Sequence, residues 1–308
     1  MENKKITWKT IIQFLIGLCI LTAVISIPYY SLQKNGYMYN DVRHKTNTVA
    51  KEKSDTLDVV FLGDSEAWAA YSPLQLYHEY GFTSYNCATP GQWTMDSARI
   101  LRKVLKNQSP SVVVLGTSTI FNYPNPLRYA LAKYLPIFHY HYFYKNTDIS
   151  YKDANTKGAN LTDTAIAYTG TLNYMKSNTT PLAMDANSLK GLNCILEICQ
   201  KNHIQLVLST SPSALTWYEG KHQTIANWCK ENDVTYIDYN EGGILYNIDF
   251  DWSTDTRDGG DHVNLSGSKK VTKNFGRRLV RMYSLPDHRD SEAYETWEKA
   301  YEAVGLYN

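Results

Sequence analysis

A serine hydroxyl attacks an acyl carbonyl when a base takes its proton, and the usual base near neutral pH is a histidine oriented by a carboxylate. Two short segments supply those residue types. The first is Gly63-Asp64-Ser65, at the end of the apolar run 58–63, DVVFLG. A serine behind a glycine at a strand-to-helix turn exposes its hydroxyl at the sheet edge, beside backbone N–H groups that can hold an oxyanion. A serine there also serves as a plain helix cap. The second segment is Asp258-Gly259-Gly260-Asp261-His262-Val263-Asn264. His262 is its candidate base, and Asp258 and Asp261 are the candidate orienting carboxylates. The glycine pair permits a tight turn between them. Asp258 is the preferred partner, because an adjacent residue points away from its neighbour, but Asp261 stays open. The alternative is a glycine-rich turn with a solvated histidine.

These segments need elements to position them. Five short apolar runs, at 58–63, 84–88, 111–116, 204–210 and 234–239, read as strands. Helical patterns lie between and after them, at 73–80, 94–106, 188–202, 221–232 and 266–283, the last with Ser266 as its N-cap. Alternation of near-continuous apolar strands with helices predicts an α/β fold, a parallel sheet covered on both faces. Sites in such sheets sit at the carboxyl ends of the strands, where Ser65 and His262 both fall. Residues 122–186 break the alternation. An insertion of that length at the active-site edge reads as a lid or a substrate platform. Seven of the 25 tyrosines fall between Asn122 and Tyr151. Their flat rings with polar tips suit contact with a glycan.

The charge balance, 31 basic against 30 acidic residues, excludes an electrostatic nucleic-acid binder. Near the N-terminus, residues 11–27 (IIQFLIGLCILTAVISI) form an apolar run preceded by Lys4, Lys5 and Lys9. That pattern predicts one transmembrane helix in the bilayer, N-terminus cytoplasmic, with the bulk of the chain extracellular. A cleaved signal peptide is the rival. The expected organisation is an anchor at 1–30, a polar stalk at 31–55, a main domain at 56–285 and a helical tail at 286–308 packed by Trp297 and Tyr301. The five cysteines form no C-x-x-C pair; Cys19 lies in the apolar run, and Cys87, Cys194, Cys199 and Cys229 read as small core residues rather than disulfide partners. Asp249, Asp251, Asp255, Asp258 and Asp261 lack the EF-hand spacing and read as a solvated loop. His139 and His141 are two apart without a third ligand, so no metal site is expected.

Taken together, Gly63-Asp64-Ser65 and the Asp258-to-His262 segment resemble the blocks of the SGNH, or GDSL-type, hydrolase superfamily, over about 55–283. The resemblance implies a three-layer α/β/α sandwich of flavodoxin-like topology around a central parallel five-stranded sheet. It makes Ser65 the nucleophile, with its own N–H an oxyanion donor and Gly91 a second. Where the superfamily has Gly-x-Asn-Asp, this chain reads Gly116-Thr117-Ser118-Thr119, so Ser118 stands where the third donor is expected, with a shorter reach. Where the superfamily has an Asp three residues before the His, Gly259 stands; Asp258 is four before and Asp261 one before. The layout is similar to bacterial membrane-anchored members that work beside polytopic membrane-bound O-acyltransferases (MBOAT), such as the D-alanyl transfer proteins of teichoic acid modification. That implies O-acyl (acetyl) transfer on a cell-surface glycan through an acyl-serine, with an acylated glycan or other acyl donor as partner and no metal or organic cofactor. Two alternatives remain: an esterase or deacetylase of the same fold, and a catalytically weak glycan-binding or scaffold partner of a membrane acyltransferase.

Overall fold

The computed structural model describes residues 7–35, 42–123, 125, 127, 131, 134–140 and 156–305. Five strands form one parallel sheet: β1 (Val59–Leu62), β2 (Ser84–Asn86), β3 (Val112–Gly116), β4 (Gln205–Thr210) and β5 (Thr235–Asp238). Their order is β2-β1-β3-β4-β5, with Phe61 paired to both Asn86 and Val114 and Leu115 to Leu208. β1 and β3 are apolar throughout, and β4 is apolar over Leu206, Val207 and Leu208, because both faces are covered. Val59, Phe61, Val112, Val114 and Val207 point to one side. There they meet α3 (Ser65–Ala70), α4 (Pro73–Tyr80) and α8 (Leu265–Met282), through Ala67, Leu76, Val271, Phe275 and Leu279. Val60, Leu62, Val113, Leu115 and Leu208 point to the other. There they meet α5 (Thr94–Val104), α6 (Ala186–Lys201) and α7 (Glu219–Glu231), through Ala98, Leu101, Leu192, Ile195, Ile225 and Trp228. The architecture is the expected α/β/α sandwich.

One N-terminal helix, α1 (Trp8–Asn35), is long and apolar enough to cross a membrane. Its apolar window runs Trp8–Leu32 with mean hydropathy 2.4, and only 6% of that window is buried. The helix extends well beyond the apolar run 11–27 and continues through Pro28. Residues 42–55 differ from a free stalk. Helix α2 (Val42–Val49) buries Lys45, Thr46, Thr48 and Val49. The Lys45 ammonium donates to the Gly158 carbonyl and lies 5.3 Å from the Trp68 ring centroid.

The Lys157-Gly158-Ala159 stretch is a junction. Trp68 Nε1 donates to Gly158 O at 2.8 Å, and Asn86 N to Lys157 O at 2.9 Å. The Lys157 ammonium pairs with Glu52 at 2.8 Å and lies 4.3 Å from the Trp297 ring centroid. Gly158 has φ +91°, and a Cβ there would strike the Asn86 backbone, so glycine is required. The C-terminal tail packs on the domain through aromatic contacts. In α9 (Glu295–Val304), Trp297 is buried against Tyr77 and Tyr301 stacks on His78 at 4.0 Å.

From 156 onward the insertion runs along the loop that holds His262. Ile166 N donates to Thr256 O, Gly259 N to Ile166 O, and Tyr168 N to Trp252 O. This half buttresses that loop. Of the seven tyrosines in the first half, Tyr123 and Tyr134 have described side chains, and both are exposed. The other five side chains, and those of His139 and His141, lie outside the described residues. Tyr30 at the end of α1 donates its hydroxyl to Tyr134 O at 2.5 Å. Among the described cysteines, Cys87, Cys199 and Cys229 are buried and all five are free thiols. Burial raises the Cys199 and Cys229 thiols to about 12, as expected of inert core residues.

The backbones of β1 and β3 also approach closely at the end of β1. Gly63 has φ +145°, and a Cβ on it would lie 2.8 Å from Ala67 Cβ and 3.2 Å from Gly116 Cα. Gly63→Ala is therefore expected to cost about 2 kcal/mol through overpacking. In the full chain that should lower Tm by roughly 4–8 °C. An unchanged melting curve would show that β1 and β3 can part there without strain.

Candidate active site

The turn after β1 places three side chains in succession. Asp64 is the N-cap of α3, its Oδ1 accepting from Glu66 N at 3.2 Å. That leaves Ser65 as the first residue of the helix rather than its cap, with a half-buried side chain available for other contacts. Its Oγ lies 2.8 Å from His262 Nε2. The Gly91 loop is stitched to the same strand end: Thr89 N donates to Gly63 O at 3.1 Å and Gly63 N to Gln92 Oε1 at 3.3 Å. Gly91 itself is exposed, at φ +63°.

His262 sits on a loop closed by a two-residue bridge, Thr256 to Val263. Asp258 organises that loop. Its Oδ1 accepts from the backbone N–H of His262 at 2.8 Å and of Asp261 at 3.2 Å. Its Oδ2 lies 2.5 Å from His262 Nδ1. Gly259 and Gly260, at φ +80° and +109°, allow the chain to double back between the two residues. Asp261 Oδ2 is 3.3 Å from the same Nδ1. Asp258 is thus the principal carboxylate on the imidazole and Asp261 a secondary one. Partial burial raises the Asp258 carboxyl, but hydrogen bonds from the His262 amide and ring, the His262 charge and the Asp261 amide together hold it below the ordinary value. The stabilisation it gives is complete above the ordinary carboxylate range and disappears as pH falls through the depressed value.

Ser118 lies beside the site in a different role from the one expected. Its hydroxyl donates to Asp64 Oδ1 at 2.5 Å, and a hydroxyl has only one proton to give. Asn122 Nδ2 donates to the other oxygen, Asp64 Oδ2, at 2.7 Å. Burial raises the Asp64 carboxyl, and these hydrogen bonds and the charge of His262 oppose it. An amide keeps a second N–H, so Asn122, four residues beyond Ser118, retains a spare donor that Ser118 lacks.

Further groups near Ser65 were not apparent from the sequence. Glu66 is 6% exposed, with Oε1 at 2.8 Å from Thr216 Oγ1 and Oε2 at 3.3 Å from Ser211 Oγ. Burial first, then the charges of Asp64 and Asp261, push its pKa well above the ordinary value, against the Thr216 hydrogen bond and Lys221. Lys221 donates to Thr216 O at 2.6 Å and lies over the rings of Phe121, Trp217 and Tyr218. Burial lowers its pKa against the attraction of Glu66, Asp64 and Asp261.

The acidic stretch differs from a wholly solvated loop. Asp255 is fully buried, accepting from Asp251 N at 2.7 Å and pairing with Lys270 at 2.7 Å. Asp258, Asp261 and His262 bring ligating atoms within 4.8 Å of one another. However, His262 Nδ1 faces Asp258 and its Nε2 faces Ser65, so both ring nitrogens already have hydrogen-bond partners. Helix α8 is capped by Asn264, whose side chain accepts from Gly267 N, rather than by Ser266.

No family model matches the chain, and no curated protein does. Solved structures do. A protein of Bacteroides fragilis assigned as an acylhydrolase is similar at 14% identity and TM-score 0.42, covering 79% of this chain and 97% of its own. A GDSL-like lipase of Bacteroides thetaiotaomicron is similar at 13% identity and TM-score 0.42, covering 80% and 100%. An acetyl xylan esterase of Butyrivibrio proteoclasticus is similar at 12% identity and TM-score 0.32, covering 75% and 65%.

A short carboxylate–imidazole hydrogen bond gives its N–H proton a far-downfield NMR signal. We expect one such resonance from His262 in the full chain, retained in Asp261→Asn and lost in Asp258→Asn. The reverse pattern would make Asp261 the principal partner.

Proposed function

We propose that this chain is a membrane-anchored serine enzyme of acyl esters, working outside the cytoplasm. The observation that carries this reading is the continuous line Ser65 Oγ to His262 Nε2 at 2.8 Å and His262 Nδ1 to Asp258 Oδ2 at 2.5 Å. His262 takes the Ser65 proton as Oγ attacks the acyl carbonyl, and Asp258 stabilises the imidazolium that forms. The Ser65 and Gly91 N–H groups hold the tetrahedral oxyanion. His262 then returns the proton to the departing alcohol, leaving an acyl-Ser65. Asn122 supplies the side-chain donor in place of Ser118.

The acyl group passes to a sugar hydroxyl of a cell-surface glycan in our first reading, with a polytopic membrane acyltransferase as a source of acyl groups. Two features support transfer at the envelope. Helix α1 has length and apolarity for one span, and Lys4, Lys5 and Lys9 precede its apolar run 11–27, with little positive charge following until Lys34. The C-terminal part of α1 is bonded to the insertion through Tyr30, whose hydroxyl donates to Tyr134 O. Hydrolysis is the second reading. The Asp258 side chain is 39% exposed, so the triad opens to water, which competes with a sugar for the acyl-enzyme.

Ser65→Ala in the full chain should abolish labelling by a fluorophosphonate and reduce aryl acetate turnover by about 10⁴-fold or more. Turnover by the variant at the wild-type rate would remove the mechanism. Adding an acetylatable oligosaccharide separates the two readings: acetylated sugar in place of free acetate means transfer, and acetate alone means hydrolysis.

A further inference from the structure

Glu66 is a buried carboxyl that the triad does not use, and its surroundings form a chain that ends on His262. Oε1 of Glu66 is 2.8 Å from Thr216 Oγ1, which is 2.7 Å from Ser213 Oγ. Ser213 Oγ is 3.3 Å from Asp261 Oδ1, and Asp261 Oδ2 is 3.3 Å from His262 Nδ1. Three contacts thus join Glu66 to Asp261 through two hydroxyls.

The protons do not balance if both carboxyls are ionised. Each contact needs one proton, and each hydroxyl has one to give. Two carboxylates at the ends would take both hydroxyl protons, leaving the Thr216 and Ser213 oxygens facing each other at 2.7 Å with none between them. One further proton on a terminal carboxyl resolves this and makes every bond point the same way. The less solvated end holds it: Glu66 is 6% exposed, whereas the Asp261 side chain is 31% exposed. With the proton on Oε1, Glu66 donates to Thr216, Thr216 to Ser213 and Ser213 to Asp261. Oε2 is then a carbonyl oxygen, suited to the Ser211 hydroxyl at 3.3 Å.

We propose that Glu66 is a neutral positioning residue, whose proton orients the Thr216 and Ser213 hydroxyls toward Asp261 and so fixes this second carboxylate against His262. This deepens the serine-enzyme reading and rests on it for its effect on rate. The groups facing Glu66 agree in sign. Asp64 on the preceding turn and Asp261 on the His262 loop are anions that oppose a third negative charge, and Tyr71 nearby is a neutral phenol. Lys221 from α7 is the opposing cation, and its ammonium donates to Thr216 O rather than to the carboxyl. Burial of Glu66 and the two anions together outweigh it.

Two measurements on the full chain in detergent test this. The infrared spectrum at pH 7 should contain a protonated-carboxyl C=O band that disappears in Glu66→Gln; absence of that difference overturns the proposal. Fluorophosphonate labelling of Ser65 should slow about tenfold in Glu66→Leu and in Ser213→Ala, with no further loss when the two are combined. Glu66→Gln can still donate to Thr216 and should restore most of the rate, whereas a charged Glu66 predicts that it labels as slowly as Glu66→Leu. Should Glu66→Leu fail to fold, Ser213→Ala and Glu66→Gln make the same comparison. If wild-type Ser65 is never labelled, the enzyme reading falls, and the infrared band alone decides the protonation of Glu66.

Discussion

The contact between Ser65 and His262 joins residues 197 apart in the chain, and most of the fold exists between them. It depends on helix packing. Ser65 opens α3, and His262 lies three residues before α8 begins. The two helices are locked together by hydroxyls: Ser268 Oγ and Thr272 Oγ1 both donate to Ala70 O, at 3.2 and 3.0 Å. Two residues on, Ser72 donates its N–H to Thr272 Oγ1 at 3.1 Å. Under them, Phe61, Tyr71 and Phe275 pack ring against ring. Anything that slides α8 along α3 moves the imidazole away from the serine hydroxyl. The buttress of 156–170 and the Asp255–Lys270 pair act on the same register from outside.

Charge is crowded around this contact. Asp64, Glu66 and Asp261 face one another across the start of α3, with His262 and Lys221 as the nearby basic groups. Burying several carboxyls in one place is tolerable only when hydrogen bonds or protons remove the excess charge. Asp64 takes hydrogen bonds from Ser118, Asn122 and the Glu66 amide. The hydroxyl that the sequence resemblance assigns to an oxyanion is therefore engaged in holding a carboxylate. A carboxamide such as Asn122 can do both, because it has two N–H bonds.

Local pattern made the sheet legible. Runs such as VVFL and VVVL are apolar at every position, a signature of strands covered on both sides, and the glycine after each marks where the chain turns at the sheet edge. The same turns exposed Ser65 and His262 as candidates. What was hidden depends on contacts distant in sequence. Glu66 meets Thr216 across 150 residues, and Lys45 meets Gly158 across 113. A lysine in a polar segment reads as solvated until the carbonyl that receives it is known, which is why 42–55 looked like a stalk. Asp255 looked like one of several loop acids, and only its fully buried position against Lys270 sets it apart. The cap of α8 was misplaced by two residues because Asn264 and Ser266 are equally good capping types, and the Asn264 side chain has the Gly267 amide within reach.

The spacing of the second segment has its own physical logic. An acid four residues before the histidine has one residue more to accommodate than an acid three before. Here the extra residue is absorbed by two glycines at positive φ, a path closed to most side chains. Asp258 stabilises that path itself, because one of its oxygens gathers the N–H groups of Asp261 and His262 while the other meets the imidazole. The carboxylate is therefore both the cap of its own turn and the partner of the histidine. Its geometry toward Nδ1 is set by the backbone of the residue it orients. Replacing either glycine by a larger residue would disturb the imidazole through this turn, and at Gly260 a Cβ would also meet the Tyr168 ring at 2.6 Å. The insertion thereby enters the site indirectly: Tyr168 fills the space that only a glycine leaves open behind the histidine loop.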